Sequence, residues 1–136
     1  MTVPYPEQAL ADIGAKILSQ PLYIMLFAGN YVPDGTETAA TISALATEFT
    51  GYSGANRPDA NLSYSAGGVI SNDGSEVEFT ITQPVTLYGH CLVTSNIKNG
   101  TSGVLYQVRR WSAPRTFSIG DKVRVPAGIP LIPTNL

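Results

Sequence analysis

Charge and reactive side chains are what this chain has least of. Charged residues make up 13% of it, about half of the roughly 25% usual in a soluble protein. It has one cysteine, Cys91, one histidine, His90, and one tryptophan, Trp111. A single cysteine excludes an intrachain disulfide and an all-cysteine metal site. The net charge of −2 argues against a nucleic-acid partner, which needs a basic face that neutralises several phosphates. Lysines and arginines are scattered, apart from Arg109-Arg110 with Arg115 nearby, a group suited to a subunit contact or to a carboxylate on a neighbouring strand. Leu22–Ala28 is apolar but far short of the ~20 residues that span a bilayer. The first residues, Met-Thr-Val-Pro-Tyr-Pro-Glu, lack a basic stretch followed by an apolar core, so no cleavable signal is expected. The expectation is a protein made in a cytoplasm, with no membrane partner. So few charges leave a surface either coated with Ser, Thr, Asn and Gly or covered by other subunits.

What is present is strand after strand. At 136 residues the chain is expected to form one domain with a core of its own. Glu7–Ser19 carries Ala9, Leu10, Ile13 and Ile17 at helical spacing, between Pro6 and Pro21, which predicts a short amphipathic helix or a partner-clasping arm over residues 1–21. Leu22–Ala28 is apolar on both strand faces and predicts a central strand buried on both sides or one at an oligomer interface. Thr38–Thr47 offers one or two helical turns carrying Ile42 and Leu45. Glu76–Thr82 alternates, with Val77, Phe79 and Ile81 inward and Glu76, Glu78 and Thr80 outward. Val85–Thr94 alternates too, which predicts Val85, Leu87, Gly89, Cys91 and Val93 on the core face. Val104–Trp111 and Asp121–Val125 complete the strands. Pro126–Leu136 holds three prolines, which suit an edge segment or extended tail (residues 129–136) and not a central strand. Short strands parted by turn signals at roughly ten-residue intervals predict an all-β, antiparallel β-sandwich of jelly-roll type over residues 22–128.

Little in the pattern points to catalysis. His90 and Cys91 are strand neighbours, so their side chains point to opposite faces and form no dyad. Glu76 and Glu78 share a face at a spacing that suits a glycosidic bond or a metal ion, but alternation alone explains them as a solvated surface. Asn72-Asp73-Gly74 offers oxygens without EF-hand spacing, and no phosphate loop or nucleophile elbow occurs. No cofactor and no metal are expected. An interface is the better use of the remaining residues. Alternation puts Tyr88 and His90 on the outer face of one strand, where they can meet Arg109 and Trp111 of another, and aromatics with arginine are typical of binding hot spots.

The run Leu22–Phe27, then Asn30, Pro33, Thr36, Glu48-Phe49 and Gly51-Tyr52, resembles the opening of a family of small β-sandwich virion proteins of tailed bacteriophages. The later Tyr88-Gly89 pair and the Gly120-Asp121 turn ahead of Lys122–Val125 fit the same pattern, over most of residues 22–128 and in order. The resemblance implies a non-enzymatic structural protein on the capsid surface, a decoration (cement) protein that binds the major capsid protein and self-associates as a homo-dimer or homo-trimer. The lead Pro6–Ser19 and the proline-rich tail depart from the pattern and suit contacts with neighbouring subunits. Leu10, Ile13, Ile17, Ile129 and Leu131 are therefore expected contact residues, beside Tyr88, His90, Arg109 and Trp111. A tail adaptor or fibre-associated protein, and a carbohydrate-binding module with Tyr and Trp as stacking platforms, are the alternatives.

Overall fold

The structure is a computed structural model that describes residues 5–131. It is an all-β, antiparallel, sandwich-like fold with a short N-terminal helix. The elements run α1 (Glu7–Leu18), β1 (Tyr23–Phe27), α2 (Ile42–Leu45), β2 (Glu48–Phe49), β3 (Ser63–Ser65), β4 (Val69–Ser71), β5 (Val77–Thr80), β6 (Val85–Val93), β7 (Leu105–Phe117), β8 (Lys122–Val125) and β9 (Gly128–Pro130). One layer is the sheet β2-β1-β6-β7. The other is divided into β3-β4-β9 and the pair β5-β8.

The apolar run of β1 becomes the centre of the first layer because it has a use for both of its faces. Ile24 and Leu26 join a core with Val77 and Phe79 of β5, Val123 and Val125 of β8, and Leu87 and Leu92 of β6. Met25 and Phe27 point the other way, into a second core closed by Ala39, Ile42 and Ala46 of the segment around α2. Gly89 of β6 lies opposite Phe27, and a Cβ there would stand 2.4 Å from the Phe27 ring. Glycine lets the ring lie across the strand.

The alternation expected for β6 fails at one place. Leu87 pairs with Arg115, and Gly89 pairs with Arg110. Tyr88 alone therefore faces the β7 residues Trp111 to Pro114, a large bulge, and the side-chain period of two is reset there. Leu87 and Leu92 both lie in the inter-sheet core, whereas Cys91 and Val93 lie in the second core. Two expectations are corrected as a result. His90 pairs with Leu26 on the inter-sheet side and is 1% exposed, so it is not an outer-face residue. Tyr88 packs against the second core, so it does not share a face with His90.

The described ends of the chain, from residue 5 and up to residue 131, are more integrated than arms would be; residues 1–4 of the expected arm lie outside the described residues. Leu10 is buried in its own chain, which removes it from the contact residues. Gly14 abuts β3, where an added Cβ would lie 2.7 Å from Tyr64 Cδ1. Tyr64 Oη donates to Glu7 Oε1 at 2.7 Å, and the Gly67 amide donates to Glu7 Oε2 at 3.1 Å. Ile13 remains exposed, and Ile17, on the helix face of the buried Leu10 and Gly14, is half-buried. Ile129 pairs with Ile70 in β9, and the Leu131 amide donates to the Gly68 carbonyl at 2.8 Å. The expected tail is therefore a sheet edge as far as Leu131. Both half-buried residues serve their own chain, and the rest of that tail lies outside the described residues.

An ion pair holds the loops at one end. Arg57 Nε donates to Glu48 Oε2 at 2.9 Å and Nη2 to Oε1 at 2.6 Å, with side-chain exposures of 1% and 0%. Arg57 also donates to the Ser95 and Gly100 carbonyls, and Glu48 Oε1 accepts from Ser43 Oγ and the Asn99 amide. Arg57→Ala leaves Glu48 charged and buried without its partner, so it is expected to cost ~3–5 kcal/mol, measured by urea unfolding. Gly14→Val is expected to undock α1 at a cost of ~1–3 kcal/mol. Hydrogen exchange should then be fast in residues 7–18 and unchanged in β1 and β6.

Candidate functional site

The β7 bulge opens a cleft of about 710 Å³ between the two layers. Arg109 to Ala113 and Arg115 form one wall, the end of β4 with Arg124 and the β8–β9 turn form the other, and His90 belongs to its lining. Every arginine of the chain except Arg57 lines this cleft, against one carboxylate, Asp73. A chain of net charge −2 thus concentrates its positive charge in one place.

The arginines are engaged to different degrees. Arg110 donates from Nη1 to the Tyr31 carbonyl at 3.0 Å and lies over the Tyr88 ring, so it is drawn towards the second core. Arg124 Nε lies 3.4 Å from Glu78 Oε2 at the surface. Arg115 lies over the rings of Trp111 and Phe117, 6.0 and 5.4 Å from their centroids. Among the described residues neither Arg109 nor Arg115 has a carboxylate partner. Both are exposed.

His90 has a fixed tautomer. Trp111 Nε1–H, which can only donate, donates to His90 Nδ1 at 2.9 Å, so the neutral ring carries its proton on Nε2. Burial lowers the His90 pKa from 6.5 to about 4, assisted by the positive charge of Arg109, so the ring is neutral at pH 7. Its Nε2 is buried and has no hydrogen-bond partner among the described residues. A buried N–H without an acceptor costs ~1–3 kcal/mol. His90 belongs to the cleft lining, so the unmatched donor lies at the wall of the cleft.

Cys91 points into the second core, where burial above all pushes its thiol up to about 12. It stays protonated and takes no part in the cleft. The arrangement offers guanidinium groups and an unmatched imidazole N–H against the single carboxylate of Asp73. It is chemically fitted to hold an anionic or acceptor-rich group.

Of the expected contact residues, the fold brings His90, Arg109 and Trp111 together here, while Tyr88, the α1 residues, Ile129 and Leu131 lie elsewhere. Arg124 of the cleft was missed. The strand alternation of Lys122–Val125 marks it as outward-facing but says nothing about what it faces. Pro114 was the available signal for the bulge, since proline inside a long strand is confined to edges and irregularities. No family model, no curated protein and no solved structure matches this chain.

The depressed His90 pKa makes a stability prediction with a definite sign. The unfolded chain, with an ordinary His pKa of 6.5, takes up this proton before the folded chain does, at about 4. Stability therefore falls as pH drops from 6.5 towards 4, by ~3 kcal/mol from this group. Urea unfolding at pH 7, 5.5 and 4 is expected to give a steeper loss for the wild type than for His90→Gln, with equal slopes above pH 7.

Proposed function

We propose that this protein is a non-enzymatic structural component of a tailed-phage virion, a decoration (cement) protein that binds the assembled capsid shell and associates with copies of itself. The outer edge of β7 carries this proposal. β7 ends the four-stranded sheet, so its outward N–H and C=O groups meet no strand among the described residues. Proteins usually blunt such edges with charge, proline or a bulge. From Arg109 onward β7 has all of these. Its first part, Leu105–Val108, has neither charge nor proline and only a one-residue bulge at Tyr106, and Tyr106 and the preceding Val104 are 38% and 54% exposed. Ile97, in the β6–β7 loop, adds a further exposed apolar side chain.

An uncharged edge flanked by apolar side chains is suited to pairing with a second copy, and a two-fold dimer then leaves no β7 edge over, whereas a trimer would pair β7 with another edge of the next copy. The virion setting comes from the resemblance at Leu22–Tyr52, Tyr88-Gly89 and Gly120-Asp121. Function in that setting is thermodynamic. Anything that binds the assembled shell and not its separated subunits stabilises assembly by linkage, and many identical sites add avidity. The low charge content agrees with a surface that spends its working life covered. The proposed partners are the major capsid protein and further copies of this chain, without cofactor, nucleic acid or membrane.

The purified protein is expected to co-sediment saturably, at many copies per head, with heads of the matching phage that lack it. Val104→Lys/Tyr106→Lys is expected to melt within a few degrees of the wild type and to weaken self-association about tenfold or more, since like charges then oppose each other across the paired edge, as read by sedimentation velocity. A wild type that is monomeric at all concentrations and leaves heads unbound overturns the proposal.

A further inference from the structure

We infer that the arginine-lined cleft is a carboxylate-binding site that takes an extended acidic segment of the protein's partner. The inference deepens the assembly proposal and rests on it for the source of the segment.

Three observations carry it. Arg109 and Arg115 are exposed in the cleft and have no carboxylate partner among the described residues. A guanidinium group presents its donors as a planar fork that matches a carboxylate with two parallel hydrogen bonds. His90, 1% exposed, lines the same cleft with a proton fixed on Nε2 and no acceptor for it. Its Nε2 is closed off from solvent, so an acceptor reaches it only when the side chains over it move aside, and a carboxylate oxygen is an acceptor strong enough to match that N–H. The third observation is the shape of the site. The cleft is an open trough along β7, with Trp111, Ala113, Pro126 and Ala127 supplying apolar surface between the charges. A chain that alternates acidic and aliphatic side chains fits both the charges and the walls.

Nucleic acid is the less suitable occupant. The chain carries a net charge of −2, so it lacks the long-range positive field that gathers a polyanion. Charge complementarity here is local, on the scale of one or two side chains. The site also lies beside the blunted part of β7, Arg109 to Phe117, and leaves the uncharged part, Leu105–Val108, to self-association. One strand thus serves two partners.

The test uses Trp111, the only tryptophan, as its reporter. The full chain is titrated with the capped peptide Val-Glu-Val-Glu-Val, with its glutamine counterpart and with sodium phosphate, following Trp111 fluorescence and the His90 Nε2–H signal by NMR. The glutamate peptide is expected to bind, more weakly as salt is raised, and to shift the Nε2 proton. Arg109→Gln and Arg115→Gln, at exposed positions that leave the fold intact by circular dichroism, are each expected to weaken binding by about tenfold or more, the usual scale for a lost hydrogen bond to a charged group. Equal binding of the glutamine peptide, binding of phosphate without the peptide, or an unmoved Nε2 signal overturns the inference. Co-sedimentation with heads separates it from the assembly proposal. Peptide binding without head binding refutes the virion partner and leaves the site standing, whereas Arg109→Gln/Arg115→Gln that coats heads like the wild type removes the cleft from the capsid contact.

Discussion

The constraint on which this molecule turns is a mismatch of length. Four residues of β7, Trp111 to Pro114, must be accommodated opposite the single residue Tyr88 of β6. A strand that gains residues against its partner bends away and twists more strongly, and here the bend separates β7 from the layer below. It also resets which residues of β6 face inward. Beyond the bulge His90 turns under Leu26 while Tyr88 goes to the opposite side. One irregularity thus creates the cleft, buries the only histidine in it and aims Trp111 at that histidine. Were β6 and β7 regular, His90 would follow Tyr88 towards the second core and the cleft beside it would be lost.

Scarcity of charge makes the placement of each charged residue informative. Arg57 and Glu48 are fully buried against each other at the loop end of the first layer. Lys98 is held almost as firmly, donating to the Thr50, Tyr52 and Gly54 carbonyls while lying 4.0 Å from the Tyr52 ring centroid. These cations stand in for secondary structure, since the segments they hold have few backbone partners of their own. A hydrophobic replacement of similar volume would satisfy the core but not those carbonyls, so the charges serve geometry more than net stability. Asn72 does the same without charge, donating to the Ala60 and Val125 carbonyls and accepting from the Ala127 amide. It fixes the far wall of the cleft, next to the β8–β9 turn.

Where local pattern decides, the sequence was readable. The two-sided apolar run of β1, the alternation at Val77, Phe79 and Ile81, and the helical spacing of α1 each report a burial pattern set by neighbours a few residues away. The meeting of His90, Arg109 and Trp111 was legible for the same reason, because they lie on consecutive strands. Their environment was not. Alternation assumes an unbroken period of two, and a bulge invisible to that assumption put His90 on the inter-sheet side, opposite Tyr88. Only Pro114, set within a long strand, signalled the break. Arg57 was beyond reach altogether. Its neighbours Asn56, Pro58 and Asp59 are turn-forming residues, and its burial depends on Glu48 and on the Ser95–Gly100 loop, which no local pattern connects to it.

The proposed division of β7 would make a small binding domain specific. Edge pairing through backbone groups is strong but indiscriminate, since any extended chain offers the same N–H and C=O groups. Confining it to the short uncharged part of the strand limits how much wrong partners can gain. The adjoining part then discriminates by charge, because an aliphatic or basic chain laid along Arg109 and Arg115 would leave guanidinium groups and the His90 N–H unmatched at a cost comparable to the gain. Affinity and selectivity would come from neighbouring stretches of one strand, so a partner must satisfy both in the same register. Repeated over many copies on a symmetric surface, such weak paired contacts discriminate more sharply than one strong contact, because a mismatch is multiplied by the number of sites.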